Sequence, residues 1–220
     1  MTSNDDQSLS ATAARARRLL ATLDGLYPDA VCTLDYDADP WRLLVGGILA
    51  AQCTDARVNR ITPALYERYP DMAAIATASE SELEPLIRSC GMYRTKARHL
   101  VGAARHLLRE HDGVVPQTLE ELVAIPGVGR KIANLILGDA FGQQAVVVDT
   151  HCARVSRRMG LTDSEQPARI ERDLMAVLPE DSWTRWGHLV VAHGRELCTA
   201  RRTLCEDCPC RPDCRHGSGT

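Results

Sequence analysis

The sequence is poor in aromatic residues: one Phe, three Trp and five Tyr among 220 residues. Its apolar residues are mostly Ala, Leu, Val and Ile, a composition that favours packed helices over sheet. No apolar run is long enough to span a bilayer. The opening MTSNDDQSLSAT lacks both the basic start and the apolar stretch of a signal peptide. These absences predict a short flexible arm and a chain that stays in a reducing cytoplasm, where disulfides are rare. An excess of positive charge is missing too, since the formal net charge is −3. Bulk charge thus gives no sign of nucleic acid, although such binding depends on how charge is distributed over the folded surface. There is no internal repeat and no low-complexity segment.

What is present is an ordinary globular balance, 45% hydrophobic and 25% charged, with enough chain for one large domain or two lobes. Helical patterns dominate. Leu19, Leu20, Leu23 and Leu26 form a stripe over 10–27, ended near Pro28. PWRLLVGGILAAQ (40–52) reads as a buried helix, and TDARVNRITPALYERY (54–69) opens on Thr54 and Asp55, both good N-caps. Ser79 followed by Glu82 has the capping-box pattern. Residues 94–111 predict a long amphipathic helix closed by Gly113, and 118–125 and 131–141 predict two more. Helices resume at about 150–159, 164–178 and 183–197. The one strand-like run, AVVVD at 145–149, is too short to imply a sheet. The fold class is all-α.

Between two of these helices stands IPGVGRK, residues 125–131. Pro126 does not continue the first helix, and Gly127 and Gly129 allow positive φ and close approach. Such a turn points successive backbone N–H groups outward at a helix start, which makes an anion site. An ordinary turn with glycines for steric room is the alternative. Lys131 follows the turn directly, and Asp149 follows an apolar run at a position suited to a helix N-cap. The tail LCTARRTLCEDCPCRPDC carries five of the nine cysteines. An odd total and a reducing compartment argue against a disulfide framework.

LEELVAIPGVGRKIANLILGDAFG, followed by VVVDTHCARVSRR, resembles the endonuclease III family of DNA glycosylases. ILAAQCTDARVNR, CGMYRTKA and the cysteine-rich tail match further family segments in the family's order, so that the resemblance covers residues 15–214. It implies a helix-hairpin-helix glycosylase fold in two helical lobes. Residues 33–145 would be a six-helix lobe with the hairpin, and 1–32 would join 146–220 in a lobe that ends in a [4Fe–4S] loop. DNA would run across the cleft between them, with Lys131 and Asp149 from opposite lobes.

The resemblance assigns Cys198, Cys205, Cys208 and Cys214, spaced C-x6-C-x2-C-x5-C, to a [4Fe–4S] cluster. Four-cysteine zinc is the alternative, and Cys210 departs from the pattern. A cluster there would staple a tail with little to bury and fix the loop carrying Arg201 and Arg202, good phosphate contacts once immobilised. Gly127, Val128, Gly129 and Arg130 would grip duplex DNA by its phosphates. The target base must leave the stack. Gln52 would fill the hole from one side and the Met92–Tyr93 loop from the other. Family members more often show Leu where Met92 stands, and an apolar Met preserves the wedge.

Lys131 would be the nucleophile and Asp149 the carboxylate that steadies developing charge on the sugar and shuttles protons. Asp55 has a sufficient role as an N-cap. Trp183, Trp186, His188 and His193 suit core packing, and Arg154, Arg157 and Arg158 suit a DNA face or a solvated helix face. The implied function is base excision of oxidised pyrimidines such as thymine glycol, with strand cleavage by β-elimination. The implied protein is a monomer without membrane contact that acts on damaged or abasic duplex DNA. The alternatives are a T/G or U/G mismatch glycosylase of the same superfamily and a non-catalytic DNA-binding cluster protein. An adenine-mismatch glycosylase would usually have another residue in place of Lys131.

Overall fold

The computed structural model describes residues 3–219. Helices account for all its regular structure. Among the described residues the sole β-type pairing is an isolated bridge between Cys198 and Thr203. No helix is long and apolar enough to cross a membrane. The chain divides into two compact units. One is contiguous, Thr33–Gln143, and the other joins Met1–Cys32 to Gln144–Thr220.

The contiguous unit begins with α2 (Pro40–Leu49), following α1 (Ser3–Leu26) of the other unit, whose helix already runs from Ser3 where an arm was expected. Asp39 caps α2 by accepting from Trp41 N at 2.8 Å, and Pro40 sits in its first turn, where no N–H is needed. Residues 43–49 of α2 are all buried, so it forms the centre of this unit. Around it come α3 (Asp55–Arg68), α4 (Met72–Thr77), α5 (Glu80–Ile87), a 3-10 turn at Arg88–Cys90, and α6 (Tyr93–Glu110). The expected capping pattern at Ser79 is present, with Glu82 accepting from the Ser79 backbone N at 2.9 Å. At α3 the cap is Thr54, which accepts from Arg57 N at 3.3 Å. Asp55 is instead the first helical residue and accepts from Thr33 Oγ1 at 2.6 Å, which corrects its expected capping role.

α6 is the spine of the unit. Ala97, Leu100, Ala103, Ala104 and Leu107 recur at helical spacing and are fully buried. Burying each leucine contributes about 1.5–3 kcal/mol. Two short elements, α7 (Leu119–Ala124) and α8 (Arg130–Leu135), complete the unit, and α8 runs on through a π-helical turn, Ile136–Ala140.

The second unit packs α1 with α9 (Thr150–Met159), α10 (Pro167–Val177), α11 (Trp183–Glu196) and the short α12 (Arg215–Ser218). Leu19 and Leu23 of α1 share one core with Val155, Ile170, Leu174, Trp186 and Leu189. The indole of Trp186 is fully buried and donates to Ser156 Oγ at 3.2 Å, so its polar atom is satisfied. Arg185 of α11 holds the chain that leaves α1, donating to the carbonyls of Tyr27 (2.8 Å), Pro28 (3.0 Å) and Ala30 and pairing with Asp24. The strand-like run 145–149 is irregular, with no strand beside it. Ala145 N bonds Thr184 Oγ1 at 3.3 Å, and Val146 enters the core.

Candidate active site and cysteine cavity

The glycine turn is held from behind. α7 ends at Ala124 before Pro126, and Val128 N donates to Ile125 O at 3.0 Å to close the turn. Ile125 and Val128 are buried and anchor it in the unit. Gly127 has φ +83°, the left-handed region that favours glycine. It also lies flat against α6, where an added Cβ would stand 2.6 Å from His99 Cβ. Gly129 differs from expectation. Its φ is −91°, so conformation does not demand glycine there. An added Cβ would meet nothing within 4 Å, which leaves its backbone open to close approach. Gly129 is the N-cap of α8, and Arg130 and Lys131, in the first helical turn, are exposed.

Asp149 is the N-cap of α9. Its Oδ1 accepts from Cys152 N at 2.7 Å, a bond that fixes its rotamer while leaving the residue half-buried. His151 meets Arg154 Nη2 at 3.2 Å. The arginines of α9 are engaged within their own unit. Arg154 donates to the carbonyls of Gly194 (3.0 Å) and Cys198 (3.1 Å), Arg158 to Thr199 O (2.7 Å), and Arg157 pairs with Glu165.

Gln52 follows the end of α2 and Met92 precedes α6, both exposed. Both are non-glycine residues in the left-handed region, with φ +53° and +45°. That conformation costs roughly 1–2 kcal/mol each. The guanidinium groups of Arg88 and Arg94 each lie over the Tyr93 ring, at 5.9 and 5.3 Å from its centre. Sequence reasoning passed over the neighbouring Lys96, which is only 2% exposed. Its helical register with Leu100, Ala103 and Leu107 was the available signal.

Cys198, Cys205, Cys208 and Cys214 line one cavity, together with Met159, His193, Leu204 and Arg211. The segment before Cys205 folds back on itself through Leu204 N to Leu197 O at 3.0 Å and Thr199 Oγ1 to Arg202 O at 2.6 Å. That presents Arg201 and Arg202, exposed, at its tip. Cys210 does not line the cavity. It is buried in the α1–α11 core, with its sulfur within 4.8 Å of Cys208 Sγ and of the His193 ring. The neighbouring Cys210 and His193 hold the Cys208 thiol below its ordinary range. Cys208 is thereby favoured as thiolate, the form that binds metal. The Cys198 sulfur accepts from Arg158 Nη1 at 3.4 Å.

An anchored glycine hairpin between helices defines a helix-hairpin-helix protein, and residues 45–180 match the family described as HhH-GPD superfamily base excision DNA repair protein. Endonuclease III of Synechocystis sp. is 51% identical over 195 residues, 88% of this chain and 89% of that protein. The Bacillus subtilis endonuclease III is 37% identical over 90% of each. A solved trapped endonuclease III–DNA covalent intermediate, an estranged-adenine complex, shares 38% identity with a TM-score of 0.89, covering 94% of this chain and 97% of that one. A thermostable thymine-DNA glycosylase, at 23% identity and TM-score 0.83, shares the fold. The chain belongs to the endonuclease III family of this superfamily, enzymes of base excision repair that combine DNA glycosylase and AP lyase activities.

Proposed function

We propose that the enzyme removes oxidised pyrimidines of the thymine glycol type from duplex DNA through Lys131 and then cuts the strand on the 3′ side. The neutral Lys131 amine forms a bond to the sugar C1′ as the glycosidic bond breaks and the base leaves with its electron pair. The sugar ring then opens to a Schiff base, and β-elimination expels the 3′ phosphate. Asp149 steadies the positive charge that develops on the sugar and carries protons, with its carboxylate held by the Cys152 bond. Gly127, Val128, Gly129 and Arg130 bind backbone phosphate, with Arg201 and Arg202 as further contacts. Gln52, Met92 and Tyr93 enter the stack where the base has left. The enzyme works as a monomer in the cytoplasm. The observation that carries this reading is an exposed Lys131 in the first turn of α8, directly behind an anchored glycine hairpin.

Cys198, Cys205, Cys208 and Cys214 hold a [4Fe–4S] cluster in this reading, and the residues fit it. They line one cavity, where four thiolates face a common space. The cluster supplies a cross-link that orders the loop bearing Arg201 and Arg202.

Borohydride trapping tests the central claim. Wild type should form a covalent adduct with abasic or thymine glycol duplex, and Lys131→Gln should form none. Tight binding without any wild-type adduct would replace this reading with a monofunctional mismatch glycosylase or a binding protein.

A further inference from the structure

We propose that Lys96 is a positioning residue that couples the two exposed DNA probes, Gln52 and Met92, by bonding the backbone behind both. The proposal rests on the reading of those two residues as probes.

Lys96 lies on the buried face of α6, where an apolar side chain would pack as well. A buried ammonium is costly unless its donors are satisfied. Here they bond backbone: Nζ donates to Leu49 O at 2.8 Å and to Cys90 O at 2.7 Å. Leu49 is the last residue of α2, whose terminal carbonyls have no partner in their own helix. A cation there is also favoured by the helix dipole. Cys90 ends the 3-10 turn that leads into Gly91 and Met92.

One ammonium thus ties the carbonyl three residues before Gln52 to the carbonyl two residues before Met92. The backbone N of the same lysine donates to Met92 O at 3.0 Å, so Met92 is held from both sides. Non-glycine residues persist in the left-handed region only where the surroundings over-determine them. The Lys96 bonds are that determinant for two strained turns at once, and they make the separation of the probes a property of the fold.

The test uses full-length enzyme and a duplex with 2-aminopurine opposite a tetrahydrofuran abasic analogue. Wild type should raise the fluorescence as the partner base is unstacked. Lys96→Met fills similar volume without donors and should lose at least tenfold of that signal's rate or amplitude. Its borohydride trapping on single-stranded abasic DNA, where no partner base needs a wedge, should stay within twofold of wild type. A retained fluorescence signal, or an equal loss in both assays, overturns the proposal. Gln52→Ala and Met92→Ala, run alongside, separate the two claims. If neither dims the signal, the probe reading itself fails; if they dim it and Lys96→Met does not, only the Lys96 proposal fails. Should Lys96→Met not accumulate folded, Lys96→Gln, which keeps an N–H donor on a shorter arm, is judged by the same ratio.

Discussion

His99 packs against the bare α-carbon of Gly127 so closely that a methyl group placed there would overlap the histidine's Cβ at 2.6 Å. The contact sets the glycine hairpin directly on the spine helix α6. Gly127→Ala should therefore be doubly penalised. The left-handed backbone costs about 1–2 kcal/mol, and the clash adds roughly 1–3 kcal/mol. Gly129→Ala, with an ordinary φ and open space, should leave thermal unfolding nearly unchanged while weakening DNA binding. Melting curves and binding isotherms on the two variants check the contrast. Equal melting temperatures would show that the His99 contact does not constrain the hairpin.

Asp149 serves α9 as a cap, and chemistry can be separated from that role. Asn caps a helix about as well as Asp. Asp149→Asn should keep the wild-type melting temperature and lose most of the excision rate. Asp149→Ala should lose both, with about 1 kcal/mol less stability. Wild-type turnover by Asp149→Asn would remove the carboxylate from the mechanism.

The cysteines should divide by position. Replacing Cys198, Cys205, Cys208 or Cys214 with Ser should abolish or deplete bound iron and inorganic sulfide. Cys210→Ala should keep the full complement of iron, because Cys210 is buried in the core and does not line the cavity that the other four share. Iron and sulfide analysis of purified variants reads this directly, and iron loss in Cys210→Ala would move it into the ligand set.

Thiol chemistry gives a further check. Burial pushes Cys152 up to about 12 and Cys90 up to about 11, so both are protonated and shielded at neutral pH. Native protein treated with iodoacetamide should leave these two unmodified until it is denatured. Peptide mass mapping before and after unfolding would detect early labelling, which would mean that these cores open readily.

DNA affinity should fall steeply with salt, since the proposed contacts are to phosphates and release bound cations. A flat plot of affinity against salt, from filter binding or anisotropy, would contradict a phosphate grip.

The long helices were readable because α6 and α11 repeat apolar residues at helical spacing, and because Ser79 with Glu82 marks a helix start. The hairpin was readable because Pro126 and Gly127 leave few other conformations. The conformations of Gln52 and Met92 were not readable, since nothing in a Gln or a Met announces positive φ. Lys96 was passed over because lysine is taken for a surface residue, although its register with Leu100 and Leu107 marked its burial; its backbone carbonyl partners are what no side-chain pattern reveals. The capping role went to Thr54 over Asp55 because both are competent caps and Asp55 has its own partner in Thr33. Extended residues 145–149 looked like a strand because valine favours sheets, yet a strand needs a neighbour.

Arg185 gathers the chain after α1 into a unit that is otherwise built from the last third of the sequence. During synthesis α1 therefore leaves the ribosome long before its partners exist. The contiguous segment Thr33–Gln143 has all its partners by the time its last residue emerges. Vectorial folding should thus begin in the middle of the molecule. The leucine stripe of α1 waits uncovered until α9, α10 and α11, which carry its core partners, have been made.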